Sequence, residues 1–267
     1  MPHPPSRAEI LLLAGSAALF AIAVGAPPLL QSAHYHQFAD GRVWLGLPNA
    51  ANLLSNLPFL CFGLWGAARL AQARHALGRV ELAGATVFFA GLVLTAIGSS
   101  LYHWQPADAT LALDRAAMAV AFAGLLSLAA AERVSSRAGA LLGLSLLVAG
   151  PATVWLWSVG GNLLPWALVQ GGGMAFLLVL AGRRAGPGTL SIRWGWVIGI
   201  YVLAKALEWA DQSVFDLTGA MLSGHSAKHL VAALSALPVI FAMGLRSRAT
   251  HNPEASVGAS IQRTYSA

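Results

Sequence analysis

The chain is 267 residues long, 57% apolar and only 10% charged, with a mean hydropathy of +0.66. Soluble proteins carry about 25% charged residues, so a soluble fold is excluded and a polytopic membrane protein is indicated. The net charge of +6 and pI near 10.2 would suggest nucleic acid in a soluble chain, but the topology below accounts for the excess arginines, and no nucleic-acid partner is expected.

A bilayer-spanning helix needs about 20 mostly apolar residues. On that scale the sequence offers eight candidates, 9–30, 50–70, 80–103, 110–131, 138–158, 163–182, 192–210 and 225–246. The predicted fold is therefore an all-α membrane bundle: an extra N-terminal helix in residues 1–30, a non-cytoplasmic loop over 31–49, a seven-helix core over 50–246, and a disordered cytoplasmic tail over 247–267. Ala21, Ala23 and Ala26 also fit a small-residue cleavage signal. The apolar stretch is longer than a signal peptide needs and Pro27 and Pro28 follow it, which favours a retained helix; removal would leave seven spans. Cys61 is alone, so no intrachain disulfide can form. Arg outnumbers Lys fourteen to two, and with the abundance of Ala, Gly and Leu this fits a G+C-rich bacterial genome.

The connections alternate in charge. One side receives Arg7, Arg69, Arg74, Arg79, Arg133, Arg137, Arg183, Arg184, Arg193, Arg246, Arg248 and Arg263. The other receives Arg42 with Asp40, Asp108, Asp211 and Asp216. This is the positive-inside pattern; it predicts cytoplasmic termini, an even number of spans and insertion in a bacterial inner membrane.

Polar residues that carry chemistry fall in two clusters. Ser99-x-x-x-His103 ends the third span and Asp114, eleven residues after the histidine, begins the fourth; His225-x-x-x-His229 begins the eighth. Positions i and i+4 share a helix face, and all these residues lie toward the non-cytoplasmic side. Ionisable groups at membrane depth are costly. Three neutral imidazoles are what a catalytic zinc takes from a protein, leaving one position open for water. A nearby carboxylate can accept that water's proton and return it to a leaving group, and a hydroxyl can donate to a developing oxyanion. The parts point to hydrolysis of a carbonyl compound that arrives through the bilayer, hence a lipid. The plainer readings are interhelical hydrogen bonding for the histidines and close packing for Ser99.

The runs Gly98-Ser99-Ser100-Leu101-Tyr102-His103, Leu113-Asp114 and Gly224-His225-Ser226-Ala227-Lys228-His229 resemble the alkaline ceramidase family, and Asn52-Leu53-Leu54-Ser55-Asn56-Leu57 is similar to that family's Asn-x-x-Ser-Asn segment. The resemblance covers residues 50–246. It implies a ceramide amide hydrolase with zinc on His103, His225 and His229, Asp114 activating water and Ser99 stabilising the amide oxygen. The products would be a sphingoid base and a fatty acid. Family members with a calcium site carry acids before the first core helix and a Glu where Asn49 stands; here Asp40 is the sole acid in 31–49, so the resemblance does not extend to calcium. The progestin and adiponectin receptors and haemolysin III-like proteins share both histidine motifs with a longer spacing to the Asp. That sister branch suggests the alternative of a receptor-like protein with structural zinc, in which Asp114 would be a fourth ligand. A lipid hydrolase of another specificity is the third reading.

Other polar residues carry weaker signals. Asn49, Asn52 and Asn56 share a helical face and read equally as cavity or ligand support and as interhelical glue. Lys205 and Glu208 read as a structural ion pair. Lys228 falls between two proposed ligands but on another face, Arg115 is expected to snorkel to the interface, and His34 and His36 read as solvated loop residues. Most of the nine Trp fall near span ends, as interfacial anchors do.

Overall fold

A computed structural model describes the backbone of residues 4–251 and side chains through residue 247. The described chain is all-α: α1 (Arg7–Gly25), α2 (Ala50–Leu54), α3 (Leu57–Ala73), α4 (Arg79–Trp104), α5 (Asp108–Arg133), α6 (Ser136–Gly160), α7 (Leu164–Ala181), α8 (Trp194–Trp209), α9 (Asp211–Leu217), α10 (Gly224–Ala233) and α11 (Ala236–His251). Among the described residues, seven helical stretches are long and apolar enough to cross a bilayer, counting 50–76 and 224–247 as one span each. Large apolar side chains such as Phe20, Leu64, Leu144, Val179, Trp196 and Leu245 face outward, as lipid contact requires.

Four segments differ from the sequence expectation. The span expected at 192–210 is the 16-residue α8, about 24 Å long and short of the roughly 30 Å hydrocarbon core. The chain turns at Ala210 and re-enters helix at Asp211, whose carboxylate accepts backbone N–H groups from elsewhere. The spans expected at 50–70 and 225–246 are each interrupted, at Ser55–Asn56 and at Leu234–Ser235. Pro58 and Pro238 follow these breaks within the first turn of α3 and α11, where a missing N–H is tolerated. The expected tail begins in helix, since α11 runs on to His251; residues 252–267 lie outside the described residues.

The core is built on α4 and α5. Ideal Cβ atoms at Gly91 and Gly98 would meet Ala121 N at 2.3 Å and Leu113 O at 2.9 Å, so the two backbones touch as only glycine permits. From α5, Gly124 returns the contact against Phe88 N at 2.3 Å. Phe88, Phe89, Leu92, Leu126 and Leu128 fill the centre with Met243 of α11. α1 is capped reciprocally by Ser6 and Glu9, and Glu9 also accepts from Ser135 Oγ at 2.7 Å. None of its residues is buried.

Candidate metal centre

His103 lies one residue from the end of α4. Asn49, held at φ +46°, donates Nδ2 to the His103 carbonyl at 2.9 Å and so ties the loop onto that helix end. His225 and His229 stand in the first two turns of α10. The start of this helix is jammed against the α8–α9 junction: a Cβ on Gly224 would fall 2.2 Å from Leu207 O. Asp211 Oδ1 accepts the His225 backbone N–H at 2.7 Å, and its Oδ2 accepts Ala39 N–H at 3.0 Å. One carboxylate thus caps α10 and anchors the 31–49 loop beside the site.

The three expected imidazoles converge. Their ring centroids are 4.9, 5.1 and 4.9 Å apart, with interplanar angles of 80°, 62° and 89°. His103 Nε2 and His225 Nε2 are 3.3 Å apart, and one ring nitrogen from each residue lies within 4.8 Å of the others. The residues are 0%, 9% and 5% exposed for His103, His225 and His229. Two nitrogens at about 2.0–2.1 Å from one tetrahedral zinc lie about 3.3–3.4 Å apart, with ring centres about 5 Å apart. The donor set therefore fits a zinc-sized cation.

Hydrogen bonding assigns two of the three tautomers. Lys228 Nζ lies 3.1 Å from His225 Nε2; an ammonium only donates, so that nitrogen presents its lone pair. Ser55 Oγ donates to Asn52 O at 2.8 Å and lies 2.8 Å from His229 Nδ1. With its hydrogen committed, Ser55 must accept from His229 Nδ1–H, which leaves the lone pair on Nε2.

A cavity of ≈ 470 Å³ runs from this cluster into the bundle. Its lining includes the polar Ser99, Asp114, His225, His229, Lys228 and Glu208 and the apolar Phe59, Phe88, Leu92, Leu125 and Met174. Ser99 is the side-chain hydrogen-bonding neighbour of Asp114. Among the described residues the group placed to hold a metal consists of the three histidines, without Asp114.

No family model and no curated protein matches this chain.

Several polar residues behave differently from expectation. Lys228 is not turned away: besides His225 it reaches Glu208 Oε1 at 2.9 Å, and Glu208 also pairs with Lys205 as expected. Arg115 does not snorkel but is 4% exposed. His34 is exposed as expected, whereas His36 bonds Tyr102 Oη at 3.1 Å and Asp108 Oδ1 at 3.2 Å. The three asparagines act as support. Asn52 Nδ2 donates to Asp40 O, its Oδ1 accepts from Ser226 Oγ at 2.7 Å, and Asn56 donates to Asn52 O. Asp211 and Ser55 escaped the sequence reading. The sequence marks the first only as an acid on the arginine-poor side, with no local signal for its reach to α10, and the Asn-x-x-Ser-Asn run contains the second.

Proposed function

We propose that this chain is an integral membrane zinc hydrolase that cleaves the amide of ceramide-like lipids to a sphingoid base and a fatty acid, with both termini cytoplasmic and the site toward the non-cytoplasmic face of a bacterial inner membrane. The observation that carries this reading is a trio of buried imidazoles, with Asp114 outside it, two of which line a cavity that also carries many apolar side chains. A structural zinc would be closed by four protein ligands; three ligands and an adjoining cavity favour catalysis. The apolar lining suits an acyl chain, and the arginines gathered at the opposite helix ends support the orientation.

His103, His225 and His229 would hold the ion, which when bound supplies Lewis acidity and a water that ionises near neutral pH. Asp114 takes the proton of the attacking water on its carboxylate and delivers it to the departing amine nitrogen. Once Asp114 holds that proton it no longer needs the Ser99 hydrogen, and Ser99 Oγ–H turns to donate to the carbonyl oxygen as charge gathers there. Phe38, whose ring lies 4.7 and 4.9 Å from those of His103 and His225, covers the cluster and limits bulk water.

The test is fatty-acid release from ceramide by the purified full chain, with zinc content measured in parallel for wild type, Asp114→Asn and His225→Ala. Turnover in the wild type, loss of activity with zinc retained in Asp114→Asn, and loss of zinc in His225→Ala support the reading. Loss of zinc in Asp114→Asn would point to a structural four-ligand site, and absence of zinc from the wild type would defeat the metal.

A further inference from the structure

Arg115 follows Asp114 on α5 and lines the same cavity. Its guanidinium stacks over Trp157 at 4.1 Å and faces Tyr35 at 5.0 Å. Stacking fixes the group without consuming its N–H donors. The residue is 96% buried, taking its 4% exposure from the whole. Among the described residues no carboxylate lies within ion-pair distance of it, and Nη1 is buried with no hydrogen-bond partner.

The other two cations of the cavity each reach a carboxylate, Lys205 and Lys228 both meeting Glu208, and Asp211 accepts two backbone N–H groups. Arg115 is the cation whose donors lack an acceptor. A buried, unpaired guanidinium at membrane depth is strongly unfavourable, and its planar fork matches the paired oxygens of a carboxylate or phosphate.

We infer that Arg115 is an oxyanion-binding subsite, and that the lipid cleaved here carries a carboxylate or phosphate close to its scissile amide. This deepens the hydrolase reading and rests on it for the bond that breaks. Arg115 meets Tyr35, three residues before Phe38, whose ring lies 4.7 and 4.9 Å from those of His103 and His225, so the anion belongs on the same end of the substrate as the amide, with the tail left to the cavity's apolar side chains. A neutral ceramide leaves Arg115 unanswered; an N-acyl amino acid or a phosphorylated ceramide does not.

The experiment measures equilibrium binding to the full chain in detergent, stripped of metal so that no probe is consumed. The probes are N-palmitoylglycine, ceramide 1-phosphate and the neutral N-palmitoylethanolamine. Wild type is expected to bind at least one anionic probe about tenfold or more tighter than the neutral one, as one charge-assisted contact allows. Arg115→Gln is expected to bring that affinity down to the neutral level, and Arg115→Lys, which keeps the charge and much of the stack, to retain part of it. The preferred anion tells carboxylate from phosphate. Equal binding of all probes by wild type overturns the subsite, as does an undiminished anion preference in Arg115→Gln; should that variant not fold, the wild-type ratio and Arg115→Lys decide. With zinc restored the two ideas separate. Hydrolysis without anion preference keeps the hydrolase and removes the subsite, whereas anion preference without hydrolysis of any probe keeps the subsite and removes the hydrolase.

Discussion

The Ser55 hydroxyl, at the break in one span, and His229 Nδ1, in the half-helix that precedes the break in another, are 2.8 Å apart. The contact fixes both the orientation and the tautomer of one imidazole of the trio. Loss of such a partner costs about 10–100-fold in metal affinity. Ser55→Ala is expected to weaken zinc binding by that amount in chelator competition, and Ser55→Thr to recover most of it. Unchanged affinity in Ser55→Ala would remove the positioning role.

If the trio holds zinc, as proposed, the ion would stabilise the fold by mass action. Chelation is expected to lower the melting temperature of the wild type, and added zinc to restore it. His225→Ala is expected to melt at one temperature with or without zinc, because two buried imidazoles do not replace three. A wild type indifferent to chelation would contradict the metal centre.

Asp211 holds the His225 and Ala39 N–H groups at 2.7 and 3.0 Å. Asp211→Ala leaves both without their acceptor, a loss of about 1–3 kcal/mol for each that stays buried. Reduced thermal stability together with weaker zinc binding is expected, with Asp211→Asn intermediate. A change in stability with zinc affinity untouched would show that the cap does not orient His225.

Gly91→Ala places a Cβ 2.3 Å from Ala121 N, and Gly98→Ala places one 2.9 Å from Leu113 O and 3.1 Å from Asp114 Cα. Backbone cannot step aside cheaply, so Gly91→Ala is expected to destabilise by about 1–3 kcal/mol, read by thermal or chemical unfolding. Gly98→Ala moves Asp114 relative to Ser99, and turnover is expected to fall further than zinc content does.

In the 31–49 loop, the Arg42 guanidinium hydrogen-bonds Asp40 Oδ1 at 2.7 Å and Oδ2 at 2.6 Å, holding that carboxyl below the ordinary range despite its burial. A carboxyl whose folded value is depressed stabilises the fold above its unfolded value, about 3.9, and loses that contribution as pH falls through the folded value. Wild type is therefore expected to melt higher than Asp40→Asn at neutral pH, with the margin shrinking below about pH 4. A margin constant down to strong acid would contradict the pairing.

The sequence made the spans and the three imidazoles legible because both rest on local rules. Apolar length reveals a helix, i,i+4 spacing puts His225 and His229 on one face, and alternating arginines put His103 at the same end. Pro58 and Pro238 also announced the two breaks, but apolar runs long enough to span overrode them. What stayed hidden depends on distant backbone contact. Lys228 reaches His225 at i+3, near enough in angle to share its edge once Glu208 draws the ammonium inward. Arg115 is covered because Trp157 comes from the next helix and Tyr35 from a loop eighty residues earlier. Asp211 acts across 172 residues on Ala39, and no spacing rule encodes that.

The glycine contacts that weld α4 to α5 decide where this bundle can open. Two helices touching backbone to backbone part only at the expense of their whole interface, so Ser99 and Asp114 move together as one rigid jaw. Met174 of α7 and Tyr201 and Lys205 of α8 line the cavity with side chains, and rotamers yield sooner than peptide groups. Under the hydrolase reading proposed above, a hydrocarbon tail diffusing sideways in the leaflet would enter at that seam, and bulky substitutions there would throttle uptake while leaving the jaw intact.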